Sequence, residues 1–125
     1  MSTKLHDVAA AAVLAPSVAP ATVTASQNGS AVDLIAGDGN AFAVLVLGTV
    51  AGGTTVGGKA QESADGSTGW ADIPGATFPN VTTGNAAYAV TFARTQRYVR
   101  CVVTLSGGSP SAAVCAAVGQ QKKVI

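Results

Sequence analysis

Apolar and polar residues alternate along several short stretches of the chain, which is the pattern of β-strands with one buried face. The alternation is clearest in 87–92, where Tyr88, Val90 and Phe92 fall on one side. Ala87 and Ala89 fall on the other side, because successive side chains of a strand point in opposite directions. We expect the first of these two sides to face a hydrophobic core.

The stretch 98–105 has the same period of two. It places Val99 and Cys101 on the core side and Arg100 and Thr104 on the wetter side. By contrast, 42–47 is apolar at every position, which predicts a central strand that is covered on both faces.

No helical periodicity extends over a dozen residues, and the apolar stretches are separated by clusters of Gly, Asn, Asp and Ser that favour turns. The pattern predicts an all-β protein. Eight strands at this spacing favour a two-sheet β-sandwich of jelly-roll type. The predicted strands cover residues 22–25, 31–35, 42–50, 54–61, 70–73, 87–92, 98–105 and 112–118.

The first 20 residues differ from the rest, and we predict an extended N-terminal arm over 1–20 and a sandwich domain over 21–125. Pro16 and Pro20 bias the residues before them toward extended conformations. The arm could lie across a neighbouring subunit, or it could form a short helix or strand on its own domain. In the first case the candidate interface residues are Leu5, Val8, Val13 and Leu14.

The composition excludes some classes of function but does not identify one. The 125 residues are 48% hydrophobic and only 10% charged, with a net charge of +1. Ordinary proteins carry about 25% charged residues, so much of this surface must be small and uncharged, which favours self-association. Nucleic acid is not expected as a partner, because phosphate binding needs clustered Lys and Arg. No apolar run reaches the roughly 20 residues of a membrane span.

The sequence contains no arrangement of residues typical of catalysis, so we expect no enzyme, no metal and no cofactor. His6 is the only histidine, and it lies in the arm. Cys101 and Cys115 are not spaced as metal ligands, and we interpret them as buried hydrophobic residues rather than a disulfide. A hairpin between their strands would bring the two thiols close together.

Acidic residues such as Asp65 and Asp72 fall mostly in turns or at strand ends, where a turn role explains them. A small basic and aromatic cluster is formed by Arg94, Arg97, Tyr98 and Arg100. It could grip a phosphate, but pairing with acidic residues of a neighbouring strand or subunit is the simpler explanation. We therefore treat Arg97 and Arg100 as candidate assembly-interface residues.

The most distinctive segment is 61–75, QESADGSTGWADIPG, which predicts a strand, a turn and a strand. It is followed by RYVRCVVTL at 97–105 and SPSA at 109–112. Over residues 54–120 this succession resembles the jelly-roll capsid decoration, or cement, proteins of tailed bacteriophages. Gly69, inserted before Trp70, departs from the tighter hairpin of that family.

The resemblance implies a structural protein that is made in the host cytoplasm, trimerises on the capsid exterior and clamps neighbouring units of the major capsid protein. It brings no catalytic residues. The alternative is a β-sandwich module of a phage tail or fibre that binds a glycan or a cell-surface receptor, for which Trp70 and Tyr98 are the candidate contacts.

Overall fold

The computed structural model describes residues 12–122, and this part of the chain consists of β-strands joined by turns. Nine strands follow one another: β1 (Ala12–Val23), β2 (Gln27–Asn28), β3 (Val32–Asp33), β4 (Gly37–Val50), β5 (Thr55–Ser63), β6 (Ala71–Val81), β7 (Ala86–Phe92), β8 (Tyr98–Ser106) and β9 (Ala112–Lys122). In the described residues no helix is long and apolar enough to cross a membrane.

The strands form two antiparallel sheets that pack face to face. The four-stranded sheet has the order β1-β9-β4-β7, and the five-stranded sheet has the order β2-β8-β5-β6, with β3 also paired to β8. If the short β2 and β3 are counted as one interrupted strand, each sheet has four strands, which is the division of a jelly roll. The all-β, two-sheet sandwich predicted from the sequence is confirmed.

The core lies between the sheets. It is built from every second residue of the strands, whose side chains point inward. Phe78 and Phe92 are buried in it, and its largest fully buried apolar side chains are Leu34, Leu45, Val56, Val99, Val103 and Val118. The predicted alternation is confirmed in β8, where Val99 and Cys101 are fully buried and Thr104 is exposed.

The boundary predicted at residue 20 falls inside β1. Residues 12–23 pair with β9 of the same chain, so 12–20 belong to the four-stranded sheet and not to an arm. Both prolines are accommodated because β1 is an edge strand, where a missing N–H removes no bond between strands. Residues 1–11, with Leu5, Val8 and His6, lie outside the described residues, so an arm there stays a prediction.

Three further expectations are corrected. The strand predicted at 70–73 extends to Val81, because β6 is also an edge strand and tolerates Pro74 and Pro79. β8 and β9 lie in different sheets, so they form no hairpin. β4 is central in its sheet, but the other described residues leave its outer face open, since Val46 is 45% exposed.

Candidate functional site

The two outer faces of the sandwich have opposite chemical character. Strand register identifies the outward residues of the four-stranded sheet, because Leu45 and its inward neighbours alternate with Phe42, Val44 and Val46. We call the central outward residues of this sheet the uncharged face: Leu14, Pro16, Phe42, Val44, Val46, Ala87, Ala89, Thr91, Ala113, Cys115, Ala117 and Gly119.

The uncharged face is made almost entirely of small or branched apolar side chains. Leu14 is 63% exposed at its edge, and Val46 is 45% exposed at its centre. The ring of Phe42 lies over Gly119, where a Cβ would come within 2.4 Å of the ring, so glycine lets the ring lie against the strand. Polar and charged residues border the face at one end, where Asp38, Gln121 and Lys122 are exposed.

Burying this face would cost little conformational entropy. Ala, Gly and Pro have no side-chain rotamers to lose, and Val loses few. An exposed apolar patch with these properties, bordered by polar residues, is typical of an interaction surface.

The outer face of the five-stranded sheet is polar, and its charged side chains have hydrogen-bond partners within the chain. We call its central cluster the polar face: Lys59, Gln61, Trp70, Asp72 and Arg100. The Lys59 ammonium lies 3.0 Å from Asp72, and the Gln61 amide donates to the same carboxylate at 2.8 Å. These two hydrogen bonds, that from Gln61 first, lower the pKa of Asp72.

Arg100 is held by uncharged partners. Its Nε and Nη2 groups donate to the Gln61 side-chain oxygen at 3.0 and 2.8 Å, and its guanidinium lies 4.4 Å from the centroid of the Trp70 ring. The acidic partner expected for Arg100 is therefore replaced by an amide and an aromatic ring. Trp70 is only half-buried, so its ring serves this outer face and not the core.

Arg97 has the acidic partner that the sequence led us to expect for this cluster. It donates two hydrogen bonds to Asp33 of β3, at 2.9 and 2.7 Å, and lies 5.1 Å from the Tyr98 ring. These bonds from Arg97 lower the pKa of Asp33 to about 2. Arg94 donates to Gln120 and to the carbonyl oxygens of Leu34 and Gln96.

Carboxylates also surround an open depression of about 290 Å³, lined by Glu62, Ala64, Asp65, Thr68, Gly69, Ala71 and Gln96. Glu62 accepts hydrogen bonds from the backbone and hydroxyl of Thr95 and from the backbone of Gln96, at 2.8 to 3.1 Å. Asp65 accepts from the backbone of Thr68 and Ser67, and these bonds lower its pKa. Both carboxylates thus fix loops.

Over residues 12–122, no group of three or more His, Cys, Asp or Glu residues is placed to hold a metal ion. Cys101 and Cys115 are free, on opposite sheets. Burial raises the pKa of the Cys101 thiol to about 12, which makes it inert, while Cys115 is half-buried on the uncharged face.

The structure separates the residues that the sequence proposed for an interface. Val13 packs against the core, Leu14 is exposed on the uncharged face, and Arg97 and Arg100 lie with the polar groups of the other sheet. Sequence reasoning missed the remaining residues of the uncharged face. The signal was the apolar stretch 42–47, which we interpreted as covered on both sides.

No protein-family model and no curated protein matches the chain. Among solved structures, it is similar to a chain of infectious bursal disease virus, Gx strain, with a TM-score of 0.53 and 12% identity over 88% of this chain. The match covers 33% of that chain, so this protein spans about a third of its length. The likeness is one of fold.

The chain also matches a chain of the disulfide-linked pili formed by Bacillus endospore appendages. That match has a TM-score of 0.30 and 13% identity, and it covers 87% of this chain and 92% of the other.

Proposed function

We propose that the protein is a structural virion protein, a capsid decoration or cement protein that binds the outside of a phage head as an oligomer and stabilises the shell. The observation that carries the proposal is the uncharged face, which the rest of the described chain leaves exposed. A surface of this kind belongs in an assembly, because in an isolated molecule it favours aggregation. The jelly-roll fold and its likeness to a chain of a virus support the same class.

Stabilisation of the shell would follow from mass action. A protein that binds only the assembled lattice of the major capsid protein shifts the equilibrium away from disassembly. The oligomer on the shell is a trimer in this proposal, as the resemblance to decoration proteins implies. Catalysis has no part in it, since the carboxylates of Glu62 and Asp65 are occupied by loop hydrogen bonds.

Attachment to the shell is assigned to residues 1–11, which include Leu5 and Val8. The test is a variant that lacks these residues and begins at Ala12, where β1 begins. We expect this variant to keep its circular dichroism spectrum and its unfolding midpoint, because all the described strands remain, but to be lost from purified particles. Unchanged occupancy on the particles would contradict the role of this segment.

The location is tested by cryo-electron microscopy of purified particles that carry the chain. Density for the sandwich on the outer surface of the head, around a threefold position, supports the proposal. Density at the tail or fibre contradicts it and favours the second candidate.

The second candidate is a tail or fibre module that binds a glycan or a receptor, and one observation favours it. Trp70 is half-exposed beside Arg100, Gln61 and Asp72, and such groups stack on sugar rings and hydrogen-bond their hydroxyls. A glycan-array signal that is lost in Trp70→Ala and retained in Phe42→Ala, with both variants folded, would establish this role. If the parent protein gave no glycan-array signal, this second candidate function would be rejected.

A further inference from the structure

We propose that the uncharged face packs against the same face of a second copy of this chain. This inference rests on the proposed function and deepens it, because it names one surface through which copies of this chain contact each other. It concerns association in solution, which is measured without particles. Failure of the contact and failure of capsid attachment are therefore separate results.

The argument for a second copy as the partner is the absence of charge. The described residues of the uncharged face carry no Asp, Glu, Lys, Arg or His. A charged group placed against this face would lose its hydration with no partner to compensate, which is costly. The occupant must therefore be uncharged over the same area. The identical face of another copy satisfies this condition.

Two other surfaces of the chain do not fit as well. The polar face carries Lys59, Asp72 and Arg100, which would be desolvated against an apolar sheet. Residues 1–11 contain Lys4, His6 and Asp7, so they would bring titratable groups onto the face. A second uncharged face has neither disadvantage.

The area of the face limits the strength of the contact. Four strands about 4.8 Å apart and about six residues at 3.3 Å each give a face of roughly 19 by 20 Å, or about 400 Å². Two copies would bury about 800 Å² of projected area, whereas stable interfaces bury about 1,200–2,000 Å². We therefore expect a weak dimer whose population depends on concentration, and not an obligate one.

The contact has two-fold symmetry, because each copy contributes the same patch. It cannot by itself form a trimer. On a shell decorated by trimers it would join two copies that belong to neighbouring trimers, and several weak contacts of this kind would add up through their number.

The position of Cys115 provides a direct probe of the face. Cys115 lies on β9, an inner strand of the sheet, and pairs with Val46 of β4. Association should shield its thiol from an alkylating reagent. Cys101 is buried in the core of the same molecule, so it serves as an internal control for unfolding.

The experiment compares the full chain with Val46→Lys and with the matched control Thr104→Lys, which adds the same charge to an exposed position of β8. Mass is measured by sedimentation across a range of concentrations, and alkylation of Cys115 is followed in the same samples. We expect concentration-dependent dimers of the parent and of Thr104→Lys, in which Cys115 reacts more slowly as the dimer forms. Val46→Lys should dimerise at least about tenfold more weakly and expose Cys115.

Three results would overturn the proposal. The first is a parent that stays monomeric at every concentration with a reactive Cys115. The second is an oligomer in which Cys115 stays as reactive as in the monomer. The third is a monomer with a shielded Cys115 that becomes reactive when residues 1–11 are deleted, which would assign the face to the chain's own N-terminal segment.

Discussion

The hydroxyl of Ser17 connects the two sheets near the edge strand β1. Ser17 is buried in β1, where its Oγ accepts the backbone N–H of Cys101 at 2.9 Å and donates to the carbonyl of Ser30 at 2.8 Å. Gly29 passes so close that a Cβ there would come within 2.2 Å of this Oγ. The two hydrogen bonds of Ser17 hold β1 against the opposite sheet.

We predict that Ser17→Ala destabilises the fold, because it leaves the buried N–H of Cys101 in β8 without a partner. The loss in the free energy of unfolding should be about 1–3 kcal/mol. Ser26→Ala is the matched control, since Ser26 also accepts an N–H of β8, that of Leu105 at 2.9 Å, but in an exposed position where water replaces the hydroxyl. Denaturant titration measures both, and equal losses would contradict the role of burial.

Asp33 makes the stability of the fold sensitive to acid. Its folded-state pKa is lowered from 3.8 to about 2 by Arg97, so the Asp33–Arg97 pair stabilises the fold above pH 3.8. That contribution is lost as the pH falls through about 2, because protonation then removes the negative charge. If the folded-state pKa of Asp33 were raised instead, the stabilisation would be present at low pH and lost as the pH rose.

We therefore predict that the difference in unfolding free energy between the parent and Asp33→Asn shrinks as the pH is lowered from 3.8 to 2. Chemical unfolding at a series of pH values gives this difference. Arg97→Gln should show the same convergence, because it removes the other half of the pair. A difference that stays constant down to pH 2 would contradict the assignment.

At the scale of elements, the turn between β6 and β7 docks against the backbone of β4. The N–H of Asn85 donates to the carbonyl of Gly48 at 2.8 Å, and Asn85 has a positive φ of 55°. A Cβ on Gly84 would come within 2.1 Å of the same carbonyl oxygen. The close approach of two backbones therefore requires glycine at residue 84.

Gly84→Ala should cost about 1–3 kcal/mol of stability, because the added methyl group forces the turn away from β4. Gly52→Ala is the control, since Gly52 also lies in a turn but a Cβ there meets nothing within 4 Å. Its expected effect is neutral or slightly stabilising, through the lower entropy of the unfolded chain. Thermal unfolding distinguishes the two, and a neutral Gly84→Ala would refute the steric argument.

Strands with regular alternation could be predicted from the sequence, as β7 and β8 demonstrate. β1 and most of β6 could not, because their prolines interrupt the pattern and only the edge position makes them compatible with a strand. The pairing of β8 with β5 instead of β9 is a non-local choice between sheets that a short loop does not reveal. The uncharged face was missed because the stretch 42–47 was interpreted as covered on both sides, and because the other residues of the face come from three strands that are distant in the chain.

At the scale of the whole molecule, the sandwich has one polar face with hydrogen-bonded charged groups and one face without charges. The polar face can remain in water because each of its charges already has a partner, such as Lys59 with Asp72. For the uncharged face, by contrast, removal from water is favourable in free energy. This asymmetry orients the molecule in any assembly that it joins.

We predict from the asymmetry that self-association responds little to sodium chloride and becomes stronger in ammonium sulfate. Contacts without charges are not screened by salt, whereas sulfate strengthens apolar burial. Sedimentation at low and high concentrations of each salt gives the dissociation constants. A dissociation constant that rises steeply with sodium chloride would place the contact on the polar face instead.

The pairing of Ala12 with Gln121 joins the first and last described strands. A nascent chain therefore has no partner for β1 until the ribosome has made about a hundred further residues, and closure of the jelly roll comes late in synthesis. Such long-range pairing slows folding. Until β9 arrives, the hydrogen-bonding edges of β1 and β4 are open to other chains, so incomplete or slowly translated copies are the ones most exposed to misassembly.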